Sequence, residues 1–434
     1  MARGTWYDRV MNRFAALMGP LSMIASPVGF GAGCPAPNQA SGITDGVAAS
    51  DISDVSTAPE ASIAEQLGIT SYVGKINPTQ ESTDGDVTTY VFDPQEGPVC
   101  MRGAPFRTSV RDLPGQDDLV IFLQGGGACW SEFCLAVTAA PPGVPEMDIL
   151  NTSLPENPTR SWDVLYLPYC DGSFFAGDAE HDDNLNGNGK RQHRGLANLT
   201  GALEVAALRF PEARRILLAG SSGGAYGLLL GAPLVRHYFP EAELIVMADS
   251  GIGLARQDDD GFLQTILTEF NLERFLPPDC PSCTAGGHMT GVVSWFLDRD
   301  ENSRVALFSS WYDSVLANTF LKVPPAAFAD ALLAQTDALH ERHPDRFRRF
   351  IVDGVQHTCL LANATGIIGE DINAVELPPD ALSSLLGGGL EIGGLGTTII
   401  DDMTVGEWLE AFIANDREAW SDRLAPRGSP PAED

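Results

Sequence analysis

Short runs of apolar residues recur along the chain: LVIFL at 119–123, DVLYL at 163–167, RILLA at 215–219, LIVMA at 244–248, RVALF at 304–308 and FIV at 350–352. A strand with one wet face alternates apolar and polar residues. A run apolar at both parities must be covered on both faces. Between these runs lie stretches of helical texture over 195–210, 223–238, 262–275 and 326–343. Strands alternating with helices predict an α/β fold, a mostly parallel doubly wound sheet flanked by helices. Crossover helices bring the C-terminal ends of the strands to one edge, so any site belongs there. The 434 residues suffice for one large domain, expected over residues 66–425.

The formal net charge of −31 constrains partners. Phosphate is repelled at long range, which excludes nucleic acid and disfavours a polyanionic polysaccharide. An acidic solvated surface suits an exported protein, and the N-terminus fits export. Arg3, Arg9 and Arg13 precede an uncharged apolar stretch at 14–25, after which small residues lead to Gly31-Ala-Gly-Cys34. Residues 1–33 thus read as a signal segment, too broken by Pro20 and Pro27 to span a membrane. Cys34 is a lipidation candidate of the bacterial lipoprotein type, with Gly31 where an aliphatic residue is usual. The expected location is secreted, periplasmic or on the outer surface, tethered to the membrane if Cys34 is lipidated. Residues 34–65 carry acids but no lysine or arginine and are expected to form a disordered acidic linker. Residues 426–434 read as a flexible tail.

Chemistry gathers at the ends of the apolar runs. Gly220-Ser-Ser-Gly-Gly224 follows one of them and opens a small-residue helix. The pattern Gly-x-Ser-x-Gly raises a serine above a sheet, which makes Ser222 a candidate nucleophile. Serine needs an imidazole to take its proton, and the imidazole needs a carboxylate to fix its tautomer. His357 follows the run at 350–352 and Asp313 the run at 304–308. The order Ser, Asp, His is that of the hydrolase sheets. His357 competes with a reading as a loop histidine, and Asp313 with Asp249 and Asp353. Gln124-Gly-Gly-Gly-Ala128 follows the run at 119–123, where such sheets place an oxyanion donor; the N–H of Gly223, just after the serine, would be another.

These stretches resemble the pectin acetylesterase and Notum-type carboxylesterase family. The similar segments are Leu123-Gln-Gly-Gly-Gly-Ala-Cys-Trp, Tyr169-Cys-Asp-Gly-Ser-Phe-Phe-Ala-Gly-Asp178, Arg194-Gly, the Ser222 motif, Trp311-Tyr-Asp-Ser and Gln356-His-Thr-Cys. The resemblance implies an α/β-hydrolase variant that cleaves acyl esters, with Ser222 as nucleophile, Asp313 as acid and His357 as base. Gly126, Gly127 and Gly223 would form the oxyanion site. It also implies a disulfide between Cys100 and Cys170. Gln124 and Ala128 depart from the family's usual glutamate and, in plant members, tryptophan; both lie beside the acyl site.

Disulfides are the default for cysteines of an exported chain. Cys129 and Cys134 are close enough to staple the loop after the glycines. Cys280 and Cys283, in a proline-rich loop without a second pair, read as a local disulfide and not a zinc site. Cys359 is then unpaired if Cys34 is lipidated. Asp182, Asn184, Asn186 and Gly187 imitate the start of a calcium loop, but His193 stands where its glutamate should be, so a polar turn is expected and no metal. Residues 366–400 would wall an acyl pocket or fill a core. Trp408, Leu409 and Phe412, in a helix expected over 404–415, read as core.

The expected function is a serine carboxylesterase without cofactor. It would hydrolyse short-chain O-acyl esters, acetyl foremost, of a neutral carbohydrate or small alcohol through an acyl-enzyme. One alternative is a lipid-ester or thioester deacylase with the same triad. Another, of a different class, is a catalytically inactive surface binding protein.

Overall fold

The computed structural model describes residues 61–183, 189–361, 375–376 and 391–431. The expected signal segment with Cys34, and most of the expected acidic linker, lie outside these residues. The folded part begins earlier than the expected residue 66. A short helix, α1 (Ile63–Gln66), is closed by a reciprocal cap between Ser62 and Glu65, and Ala64 and Leu67 are buried.

Thirteen strands are labelled in chain order. β1 (Gln80–Asp84), β2 (Val87–Val91) and β3 (Arg107–Arg111) come first, then β4 (Asp118–Leu123), β5 (Gly127–Trp130), β6 (Phe133–Val137) and β7 (Asp163–Leu167). β8 (Ala179–Asp183), β9 (Gly189–His193), β10 (Arg215–Ser221), β11 (Glu243–Asp249), β12 (Ser303–Ser310) and β13 (Phe347–Val352) follow. The helices are α2 (Gly195–Arg209), α3 (Gly223–Tyr238), α4 (Asp260–Glu269), α5 (Thr290–Arg299), α6 (Pro325–Arg342) and α7 (Val405–Ala414).

The central sheet runs β1-β2-β3-β7-β4-β10-β11-β12-β13, closed by the short strand Arg423–Leu424. From β7 onward every pairing is parallel. β1 to β3 form an antiparallel meander at the other edge. The sheet explains the apolar runs. Leu119, Ile121 and Leu123 of β4 pack into one core layer, and Val120 and Phe122 into the other. Ile216 and Leu218 of β10 divide from Leu217 and Ala219 in the same way.

Strands β10 to β13 are added in one direction, so right-handed crossovers put their connecting helices on one face. Residues of α2, α3, α5 and α6 accordingly share one core layer. The other layer holds α7, whose Trp408, Leu409 and Phe412 are fully buried core residues.

The C-terminal stretch is tied down further than expected. The Trp311 indole donates to the Ala425 carbonyl, the Tyr312 hydroxyl to that of Gly428, and the Gly428 N–H to Asp353. Residues 426–428 are therefore packed onto the domain, not a free tail.

Candidate active site

Ser222 occupies the turn between β10 and α3 at φ 54° and ψ −121°. A non-glycine residue pays about 1–3 kcal/mol for such a backbone, which persists only where the surroundings hold it. Here the Ser222 N–H donates to the Asp249 carbonyl at the end of β11, and α3 starts at the next residue. The side chain is almost buried, at 4 % exposure.

Asp313 and His357 are fully buried and paired. The imidazole Nδ1 lies 2.9 Å from Asp313 Oδ1 and 2.8 Å from Oδ2. Asp313 Oδ1 also accepts the N–H groups of Val315 and Leu316, which open a π-helical turn, Val315–Leu321. The carboxylate is thus fixed by backbone while it orients the ring. The far nitrogen, His357 Nε2, is buried and has no hydrogen-bond partner among the described residues. The link from Ser222 to this nitrogen is not closed by a hydrogen bond; such links are often loose before substrate binds.

Asp249, the rival acid, is engaged elsewhere. Its Oδ2 accepts the Ser221 hydroxyl at 2.6 Å and the Leu360 N–H at 3.0 Å; its Oδ1 accepts the Cys359 N–H at 2.9 Å. Burial pushes it up to about 6 although these donors pull the other way. The other rival, Asp353, receives the Gly428 N–H.

The glycine turn after β4 runs backbone-to-backbone against the serine turn. A Cβ on Gly125 would stand 2.8 Å from the Ser221 carbonyl and 3.0 Å from Ser222 Cβ. Gly127 sits at φ +83°, where a side chain would be strained and would strike the Leu135 carbonyl. Gly127 and Gly223 border the same cavity as Ser222. Gly126 is turned back against the Tyr169 ring, and its carbonyl accepts the Val137 N–H.

That cavity offers about 990 Å³ of space, part of it open to solvent. Helix α3 contributes Tyr226, Leu229 and Leu230, one turn and two turns beyond the serine. Helix α4, capped by Asp259, contributes Phe262, Leu263 and Ile266. Trp130 closes it from the β5–β6 hairpin and Phe320 from the π-helical turn. Phe174, at φ 61°, stacks on Tyr226 with centroids 5.1 Å apart. Apart from Ser222 and the Tyr226 hydroxyl, which donates to the Leu254 carbonyl, the lining side chains among the described residues are apolar. Sequence reasoning missed this pocket wall. Tyr226, Leu229 and Leu230 at helical spacing after the serine were the available signal. Of residues 366–400, expected to wall the pocket or fill a core, all but 375–376 and 391–400 lie outside the described residues, and Leu395 and Ile400 are core residues.

Three disulfides join Cys100 to Cys170, Cys129 to Cys134 and Cys280 to Cys283. The first closes 70 residues and is worth about 4 kcal/mol of loop entropy; the second closes only 5 and is worth about 2. The Cys129–Cys134 bridge staples the hairpin carrying both Gly127 and Trp130. Cys359 is a buried free thiol, pushed well up by burial and by Asp249. Asn184, Asn186 and Gly187 of the calcium-like stretch lie outside the described residues, which flank it as the β8–β9 hairpin. Among the described residues no cluster of His, Cys, Asp and Glu has the makings of a metal site, and no helix is long and apolar enough to cross a membrane.

Residues 79–284 match the pectinacetylesterase family model. That span includes the glycine turn and Ser222 but stops short of Asp313 and His357. Two relatives are palmitoleoyl-protein carboxylesterases of Xenopus laevis. Notum1' is 27% identical over 176 residues, covering 35% of this chain and 34% of its own. Notum1 is 26% identical with the same coverage. The match thus spans about a third of these relatives' length. Among solved structures, the Wnt deacylase Notum from Drosophila superposes with a TM-score of 0.52 at 16% identity, over 75% of this chain and 92% of that one. The chain is thus similar to the pectinacetylesterase family over residues 79–284, and three quarters of it share the fold of the Drosophila Notum structure.

Proposed function

We propose that the protein is an exported serine carboxylesterase in which Ser222 attacks the ester carbonyl and His357 Nε2 takes its proton. Asp313 holds the ring with its proton on Nδ1 and stabilises the imidazolium. The alkoxide of the tetrahedral intermediate faces the N–H groups of Gly127 and Gly223. His357 then returns the proton to the leaving alcohol, and water resolves the acyl-enzyme by the same steps in reverse. The observation that carries this reading is the buried Asp313–His357 pair, whose Nε2 has no partner among the described residues, beside a strained serine turn. The three disulfides fit an oxidising compartment. Lipidation of Cys34 would add a membrane tether.

The wall of the cavity favours a longer acyl group over acetyl. An acetyl chain would leave most of the Leu, Phe and Trp lining without a partner. Each methylene it buries is worth about 0.8 kcal/mol, roughly fourfold in kcat/KM. The names of the Xenopus relatives, palmitoleoyl-protein carboxylesterases, point the same way. The test is a series of p-nitrophenyl esters from two to sixteen carbons, with wild type and Ser222→Ala. Turnover should rise with chain length before it levels off, and should vanish in the variant. A maximum at acetate would return the substrate to the short-chain class. Folded wild type as inert as Ser222→Ala would make the protein a binder.

A further inference from the structure

We infer that Asp249 is a positioning residue that fastens the base loop to the nucleophile turn, and that it takes no part in proton transfer; this rests on the triad proposed above. Asp249 ends β11, in register with Ser221 of β10. Its backbone carbonyl holds the Ser222 N–H at 2.8 Å. Its carboxylate takes the Ser221 hydroxyl on the same turn and the N–H groups of Cys359 and Leu360, two and three residues beyond His357. One residue therefore spans both reacting side chains.

The neighbouring Ser250 continues the clasp, its Oγ accepting the Thr358 N–H at 2.9 Å. Ser222, Ser250 and Thr358 all have positive φ, at 54°, 58° and 65°. Three strained non-glycine residues around one carboxylate make a junction that relaxes once a bond is lost. His357 hangs between two such fixed points, Asp313 at its ring and Asp249 at the following backbone. Neither oxygen of Asp249 is bonded to the imidazole. They meet neutral donors, so the group has no ring to orient and no proton path to Ser222.

The test uses the full chain. In Asp249→Asn the amide keeps one acceptor and turns an NH₂ toward an N–H or the Ser221 hydroxyl, so the loop shifts. A displacement of about 1 Å at the base costs roughly a hundredfold. We expect that fall in kcat with KM within about threefold, and a displaced or missing low-field Nδ1 proton resonance of His357. In a His357→Ala background the same substitution should cost almost nothing, because its effect passes through the base. Ser250→Ala, a milder cut in the same clasp, should lose about tenfold by the same route and serves if Asp249→Asn does not fold. A wild-type rate and resonance in Asp249→Asn would overturn the inference alone. So would an undiminished cost without His357. An inactive Asp249→Asn beside an active Asp313→Asn would instead overturn the triad reading beneath it.

Discussion

Asp313 shows how much one carboxylate can be asked to do. Its Oδ1 is committed to the Val315 and Leu316 N–H groups as well as to the imidazole. In Asp313→Asn the amide oxygen should stay on those two backbone donors, and the NH₂ should then face His357 Nδ1. That forces the proton to Nε2, the nitrogen that must be empty to accept it from Ser222. The expected loss in kcat is about four orders of magnitude with little change in melting temperature. Ser222→Ala should cost about a millionfold. Single-turnover kinetics on an activated ester would measure both, and a near-wild-type Asp313→Asn would disprove the assignment. Ser222, Asp313 and His357 stood out as candidates because each follows an apolar run, and runs of that kind end at one edge of a parallel sheet. Asp249 follows such a run too. Only its hydrogen bonds separate it from Asp313, and nothing in the sequence reports which backbone groups will face a carboxylate.

At the scale of elements, central strands were readable and edge strands were not. β4, β7, β10, β11, β12 and β13 are buried on both faces, so their apolar content announces them. The meander of β1 to β3 is built from QESTD, VTTYV and RTSVR, and β1 is exposed throughout. Polar strands of that kind gain their order from pairing, which leaves no mark on composition. Helix α4 stops at Glu269 instead of running on to Phe275, because Asn271 turns to positive φ and a separate short turn carries Phe275. The pocket is likewise a product of assembly, drawn from α3, α4 and the hairpin. Behind its wall lies a second apolar space lined by Leu228, Val246, Ile252 and Phe296. Leu229 of α3 and Val292 of α5 border both. Leu229→Ala should join the two spaces and move the preferred acyl chain to greater length by a few carbons. It should also cost about 2–5 kcal/mol of stability, as large-to-small changes in a core do. A lower melting temperature with an unmoved chain-length profile would reduce Leu229 to simple packing.

For the whole molecule, the acidic surface dominates charge, yet the pH response of stability should turn on buried groups. His193 of β9 is fully buried against Phe270, with ring centroids 4.7 Å apart. Burial holds it down to about 3, against a bond from Nδ1 to the Asp171 carbonyl, and the positive charges of Arg191 and Arg102 add to the burial. The same burial pushes the Asp171 carboxyl up to about 6, although Ser173 and Phe175 donate to it. The signs are opposite. A histidine lowered by folding contributes stability above its ordinary 6.5 and loses it as pH falls toward 3. An aspartate raised by folding contributes stability below its ordinary 3.8 and loses it as pH rises through 6. Between pH 6 and 4 the two should nearly cancel, each moving stability by about 1.4 kcal/mol per pH unit. Neutralisation of the surface acids acts on every variant alike and drops out of differences. His193→Asn keeps a donor near the Nδ1 position and removes the titration. It should be less stable than wild type at pH 7, from the space it opens, and should close that gap steadily as pH falls from 6.5 to 4. Urea unfolding midpoints at four pH values would measure the gap. If it stays constant, His193 titrates alike in the folded and unfolded chain, and burial is not what governs the acid response.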